Sequence, residues 1–216
     1  MSKLQLTSLH PYFDLHQLKY GDATLNSIYG AGCTNSPRIM FIFMNPTARN
    51  VAAQRSWTGI RAPWLGIKNI WKMFYQLQLL DEPLFSQVME MKPVQWNESF
   101  STKLYENIAD KDVFITNLAK CTQSDAKHLD NNIFFEYLEL LFQEIDLLEP
   151  NTIVTFGTQV SSIILGENIK ISADNSGKTI NIKNKCYSVV PVHYPVGHGQ
   201  RNVQKSIDSI KKILDK

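Results

Sequence analysis

The chain has 216 residues, 44% hydrophobic and 19% charged, with a formal net charge of only +2. That composition is ordinary for a globular protein, and the length buries a full core in one expected domain over residues 1–216. So small a net charge excludes a nucleic-acid surface built on global charge; any such surface must come from local placement of Lys and Arg.

Three cysteines, Cys33, Cys121 and Cys186, lie far apart with no CxxC pair. They read as reduced thiols, without a zinc site or a disulfide framework. No N-terminal apolar segment resembles a leader, and no run reaches the roughly 18 apolar residues of a membrane span. A soluble cytoplasmic protein with no membrane partner is expected.

Taken in order, residues 1–38 are mixed. Tyr12 to Tyr20 suits a short helix, and Asn26 to Pro37, rich in Gly, Asn and Ser, reads as loop. Six apolar residues follow, Ile39 to Met44. So short a run is a fully buried strand or a helix fragment; its β-branched and aromatic content and the Asn45-Pro46 stop favour the strand. The connection 45–63 is long and carries Arg49, Arg55 and Arg61; loops of this length inside a compact domain are usually functional or disordered. Ile67, Ile70, Trp71, Phe74 and Leu77 then recur at helical spacing. Residues 81–110 look irregular, broken at Pro83 and Pro93, with a helical stretch over 98–109.

Val113-Phe-Ile-Thr is the second strand and delivers Asn117 at its end. A polar turn over 122–131 leads to an apolar helix, Ile133 to Leu148, ended by Pro150. Asn151 to Phe156 is the third strand, turning at Gly157 into helix 158–165 with Gly166 at its end. Residues 171–185 alternate weakly and suggest a hairpin or a long loop. Tyr187 to Val192 is the fourth strand, ending at His193. Val203, Ile207, Ile210 and Leu214 mark a closing helix, with Lys205, Lys211 and Lys212 on its wet side. Strand and helix thus alternate. The fold class is α/β, a three-layer α/β/α sandwich around a central, mostly parallel four-stranded sheet.

Three of these strands end in a polar residue at one edge, Asn45, Asn117 and His193. The carboxyl edge of such a sheet is where ligands bind. An amide offers donors and an acceptor, so it can read a hydrogen-bonding edge. Trp57 and Trp64 offer stacking faces, and a histidine can donate to a developing anion. No GxSxG elbow, GxGxxG or GxxxxGK[ST] is present.

These segments resemble the uracil-DNA glycosylase superfamily. Phe43-Met-Asn-Pro46 is similar to the water-activating motif of its mismatch-specific and single-strand-selective branches, and Asn69-Ile-Trp-Lys72 to a segment that follows there. Pro63-Trp-Leu-Gly66 resembles the Pro-Phe-Val-Gly of the iron–sulfur branch, whose aromatic stacks on the base. Ile115-Thr-Asn-Leu-Ala-Lys-Cys121 resembles that branch's Ile-Thr-Asn-Val-Val-Lys-Cys, and Leu148 to Gly157 its next strand. Val192-His193 stands where the second motif, His-Pro-Ser, begins. The resemblance covers roughly residues 38–214.

The resemblance implies a monofunctional DNA glycosylase that flips uracil or a related deaminated base and hydrolyses its glycosidic bond. Asn45 would position the attacking water and His193 would donate to the leaving base. Asn117 would read the base edge, with Trp64 stacking on it and Trp57, Met44 and Pro46 completing the substrate site. Arg201, Tyr194 and Lys120 would contact DNA. The partner would be uracil-containing DNA, single-stranded or mismatched, bound by a monomer. The chain departs from the motifs in three places. Thr47 replaces a Gly; the longer gap before Pro63 leaves Trp57 nearer the usual spacing, though the residues flanking Trp64 match better; and Tyr194-Pro195 follows His193. Cys121 matches one cluster ligand but the other three have no counterparts, so no cluster and no cofactor is expected. The alternative is a divergent homologue that binds DNA or regulates without releasing a base. An unrelated flavodoxin-like binding module or hydrolase would share only the alternation of elements.

Overall fold

The computed structural model describes residues 5–125, 129–171 and 177–215. Parts of two expected features, the polar turn 122–131 and the stretch 171–185, lie outside the described residues. Among those described, seven α-helices accompany a six-stranded sheet. The strands are β1 (Ala31–Gly32), β2 (Ile39–Phe43), β3 (Val113–Asn117), β4 (Thr152–Phe156), β5 (Lys178–Ile182) and β6 (Lys185–Val192). The helices are α1 (His10–Tyr20), α2 (Lys68–Gln76), α3 (Glu82–Glu90), α4 (Glu98–Asp110), α5 (Asn131–Leu148), α6 (Thr158–Leu165) and α7 (Val203–Leu214).

Strand order is β1-β3-β2-β4-β6-β5. The four expected strands form its centre, and the pairs β3/β2, β2/β4 and β4/β6 are all parallel. Two short antiparallel strands widen the expected four to six. β1 is two residues long, too short for any periodicity to show. β5 resolves the choice over 171–185 in favour of a hairpin: Ile182 pairs with Lys185 across a two-residue turn in which Lys183 has φ 50°.

Every residue of β2 and β3 is buried, because helices cover both faces. Alternation sends Ile39, Phe41 and Phe43 into a core with α2, α4 and α7, and Met40 and Ile42 into a second core with α1, α5 and α6. The irregular reading of 81–110 is corrected by α3. Pro83 lies in its first turn, where a missing N–H costs nothing, so it starts a helix rather than breaking one.

From β2 the chain passes to one side, to β3, and then back across to β4. The direction of winding therefore reverses at β2, and the crevice beyond the carboxyl ends of β2 and β4 is the place such a sheet offers a ligand. Asn45 lies just past one of those ends and Gly157, at φ 91°, just past the other.

Candidate active site

Asn117 is the last residue of β3 and pairs directly with Phe43 of β2. The two chains stay together beyond the sheet. Leu118 N donates to Phe43 O at 2.7 Å, Ala119 N to Met44 O at 3.0 Å, and Gln123 N to Pro46 O at 3.2 Å. Asn45 and Asn117 are thus carried on adjoining segments, at a strand spacing of about 4.8 Å. Asn117 shares its face with Val113 and Ile115, which is also the face of Phe43.

Both amides are buried, Asn45 at 8% and Asn117 at 2% exposure. Asn45 Nδ2 donates to its neighbour's carbonyl, Pro46 O, at 3.1 Å, which leaves Oδ1 as the free acceptor. Asn45 Oδ1, Asn117 Nδ2 and Trp64 Nε1 are each buried without a hydrogen-bond partner among the described residues. A buried polar atom left unpaired costs about 1–3 kcal/mol. Three of the eight such atoms among the described residues belong to the segments around this one sheet edge, where a polar ligand would supply their missing partners.

Trp64 sits at φ 65°, a backbone region that bulky residues seldom adopt. The loop imposes it. Trp71 Nε1 donates to Trp64 O at 3.1 Å, Tyr105 Oη to Pro63 O at 2.5 Å, and Asn50 Nδ2 to Ala62 O at 2.8 Å. Gly66, at φ 84°, leaves no room for a Cβ, which would lie 2.6 Å from a Val51 methyl. The Trp64 ring stands edge-on to Phe43, with centroids 4.9 Å apart. Phe43 in turn stacks on Phe156 at 4.2 Å and meets Tyr194 edge-on at 6.3 Å. Phe43 is therefore the hub that ties Trp64, β4 and the segment after β6 to one side of the sheet. Backbone strain of this kind is held only where the surroundings enforce it, and it concentrates at working sites.

Trp57 spends its indole N–H within its own turn, on Ile60 O at 2.9 Å, so Trp64 is the freer ring. Trp71 is fully buried core. Two of the three loop arginines brace the loop. Arg55 donates to Ala23 O at 2.9 Å, and Arg61 pairs with Asp14 of α1 at 3.0 Å. Asp14 also accepts from Ser27 Oγ and, at 2.9 Å, from Tyr29 Oη. Gln17 of the same helix bonds Thr122 N at 2.7 Å, which steadies the segment after Asn117.

His193 follows β6 and is half-buried, and its carbonyl accepts from Ser206 Oγ of α7 at 3.0 Å. It lies two strands from β2, roughly 10 Å. Burial, and then the positive charge of Lys205, push its pKa below the ordinary histidine value of 6.5. The imidazole is accordingly neutral at neutral pH and can donate one N–H without being a strong acid.

Three assignments need correction. Lys120 is not a DNA contact: it is 1% exposed, with its ammonium 2.7 Å from the Glu144 carboxylate. Three residues after Asn117 the chain has turned back toward the core beneath α5, so the charge cannot reach a phosphate. Met44 is not on the substrate face, because strand alternation packs its side chain against the opposite core. Tyr194 is not placed as a DNA contact either. Its ring lies against Phe43 and Gly157, and burial pushes its phenol pKa well up, so it forms part of the wall. Pro46 is buried and serves the site through its carbonyl, which fixes the Asn45 amide. Arg201 is exposed, in the turn Gly197–Asn202 that leads into α7. Glu144 and Thr116, which bond Lys120 behind Asn117, were not expected there. The signal for Glu144 was an acid on the buried stripe of α5, between Leu141 and Leu148. Cys121 is a buried thiol whose pKa is raised by burial, an inert core residue.

A family model described as the uracil DNA glycosylase superfamily matches residues 29–216. No curated protein matches the chain. The matched span holds the whole parallel sheet and every site residue above; α1 precedes it and braces it. The chain belongs to the uracil-DNA glycosylase superfamily, a class of DNA glycosylases of base excision repair whose macromolecular partner is DNA.

Proposed function

We propose that the protein hydrolyses the N-glycosidic bond of uracil, or of a related deaminated base, in DNA and leaves an abasic site. The observation that carries this reading is the pair of buried amides, each with an unpartnered atom, an acceptor on Asn45 and a donor on Asn117, at the edge where Trp64 is held. A base flipped from the stack, or already single-stranded, enters over the Trp64 ring. Asn117 Nδ2 donates to a ring carbonyl, and its amide oxygen accepts from the adjacent ring N–H. Cytosine presents the reverse pattern and would leave buried groups unpaired, at about 1–3 kcal/mol each. Asn45 Oδ1 accepts from the water that attacks C1′ of the sugar. The bond breaks with its electron pair on the base, and His193 donates to the oxygen where that charge gathers. No step uses the amine of Lys120, the lysine three residues from Asn117, since it is committed to Glu144. Arg201 meets a backbone phosphate, the enzyme acts as a monomer, and it works in the cytoplasm.

Incubation with a labelled uracil-containing oligonucleotide, single-stranded or U·G-paired, followed by alkali tests the reading. Strand breaks are expected with wild type and are expected to be lost in Asn117→Ala. DNA bound without any abasic site, on uracil, hypoxanthine or xanthine, would establish the divergent, non-catalytic homologue instead.

The state of His193 gives a separate test. Its depressed pKa means that the imidazole is already neutral above pH 6.5, so the single-turnover rate should stay level as pH rises from there. A rate that declines above pH 6.5 in wild type but not in His193→Asn would show that the charged form acts, contrary to the assignment.

A further inference from the structure

Lys120 and Glu144 are both 1% exposed, and their ion pair at 2.7 Å is the most deeply buried among the described residues. It lies on the face opposite Trp64, beneath α5, with Phe13 of α1 5.2 Å from the ammonium. Gly30 closes over it: a Cβ there would fall 2.9 Å from Glu144 Oε1 and 2.4 Å from the Phe114 ring. Such a pair is weak support for stability, because desolvating two charges offsets most of their attraction. Its other bonds point elsewhere. Lys120 Nζ donates to the Asn117 carbonyl at 2.5 Å and to Thr116 Oγ1 at 2.7 Å, and Thr116 Oγ1 donates to Glu144 Oε2 at 3.1 Å.

All these contacts meet the last two residues of β3. Pairing with β1 stops at Ile115, so past that point β3 has a partner strand on one side only. The Asn117 side chain cannot orient itself through its own amide donor, since Nδ2 has no protein partner. Its aim rests on the backbone that carries it, and Lys120 holds the carbonyl of that very residue.

We propose that the buried Lys120–Glu144 pair is a positioning device for Asn117, fixing the peptide plane at the end of β3 so that the amide meets the base edge in register. The inference rests on the reading of Asn117 as the group that recognises the base. Lys120 and Glu144 are positioning residues; neither touches the substrate. Their effect falls on the rate and on the choice between bases, not on DNA affinity, which arises from phosphate contacts.

The test compares single-turnover rates on uracil- and cytosine-containing single strands, DNA affinity and thermal melting for wild type, Asn117→Ala and the double variant Lys120→Met/Glu144→Leu. The double variant removes both charges and so leaves no lone buried ion. A second double variant, Lys120→Gln/Glu144→Gln, keeps a neutral hydrogen-bonded pair whose shorter side chain falls short of the Asn117 carbonyl. Each folded double variant is expected to bind DNA as wild type does, to release uracil about 10- to 100-fold more slowly, and to discriminate less against cytosine. A folded double variant with wild-type rate and selectivity, beside a slow Asn117→Ala, overturns the positioning role alone. Asn117→Ala at the wild-type rate overturns the base-reading assignment and the positioning role with it.

Discussion

Asn45→Ala is expected to slow base release by about 10²- to 10⁴-fold, the range typical for a positioned group that handles a proton in the transition state. The loss should appear in the chemical step, with binding to uracil-containing DNA retained, because in the proposed mechanism Asn45 meets the attacking water and not a phosphate. Its amide is oriented accordingly, with Nδ2 occupied by Pro46 O and the unpartnered Oδ1 left to accept a hydrogen bond. Asn45→Asp should recover part of the rate, since it keeps an acceptor in place and loses only the bond to Pro46. Single-turnover release and a binding titration on the same oligonucleotide decide the matter. Equal losses in binding and rate, or no loss at all, would remove Asn45 from the chemistry.

The largest effect on stability belongs to the Lys120–Glu144 pair. Removing either partner leaves the other charged and buried, which costs about 3–5 kcal/mol. Burial pushes the Lys120 pKa down while Glu144 pulls it back up, so loss of the carboxylate leaves the ammonium with burial acting alone. Against a total stability of roughly 5–15 kcal/mol, that is enough to bring a domain near unfolding at ordinary temperature. Glu144→Leu and Lys120→Met should each lower the urea midpoint by the corresponding amount. The double variant should lose less than the two single losses together, with about 1–3 kcal/mol remaining for each of the two groups left without a donor, the Thr116 hydroxyl and the Asn117 carbonyl. Additive losses in the two single variants would mean that the pair is not coupled, against the 2.7 Å separation.

The elements that were legible from the chain are those whose signal is local. Ile39 to Phe43 is apolar throughout and stops at Asn45-Pro46, and the same holds for Val113 to Thr116 with Asn117 at its end. A continuous apolar run has one economical use in a chain of this size, a strand covered on both faces. The polar residues that end such runs are placed at the carboxyl edge by the parallel pairing alone. α3 was illegible because a proline means different things in a first turn and in mid-helix, and composition does not say which applies. β1, two residues long, exists only because β3 offers it a ladder.

Side-chain destinations were harder. Lys120 looked like a phosphate contact while it was only a basic residue after a strand; a carboxylate 24 positions further on, in α5, decided otherwise. Met44 sits beside Asn45 in one motif yet packs into the opposite core, because successive residues of an extended chain face opposite ways, and the Tyr194 ring is taken up by Phe43.

Periodicity and apolar runs were thus enough to establish an alternating α/β chain and two asparagines and a histidine at strand ends, since each depends on residues within a few positions of one another. Which strands are neighbours, that winding reverses at β2, that Trp64 is held against Phe43 with its indole N–H unpartnered, and that a lysine is buried under α5 all depend on contacts tens of residues apart. Such contacts form only when the two cores close on the sheet, and desolvation then decides which charges are paired and which amides are left open.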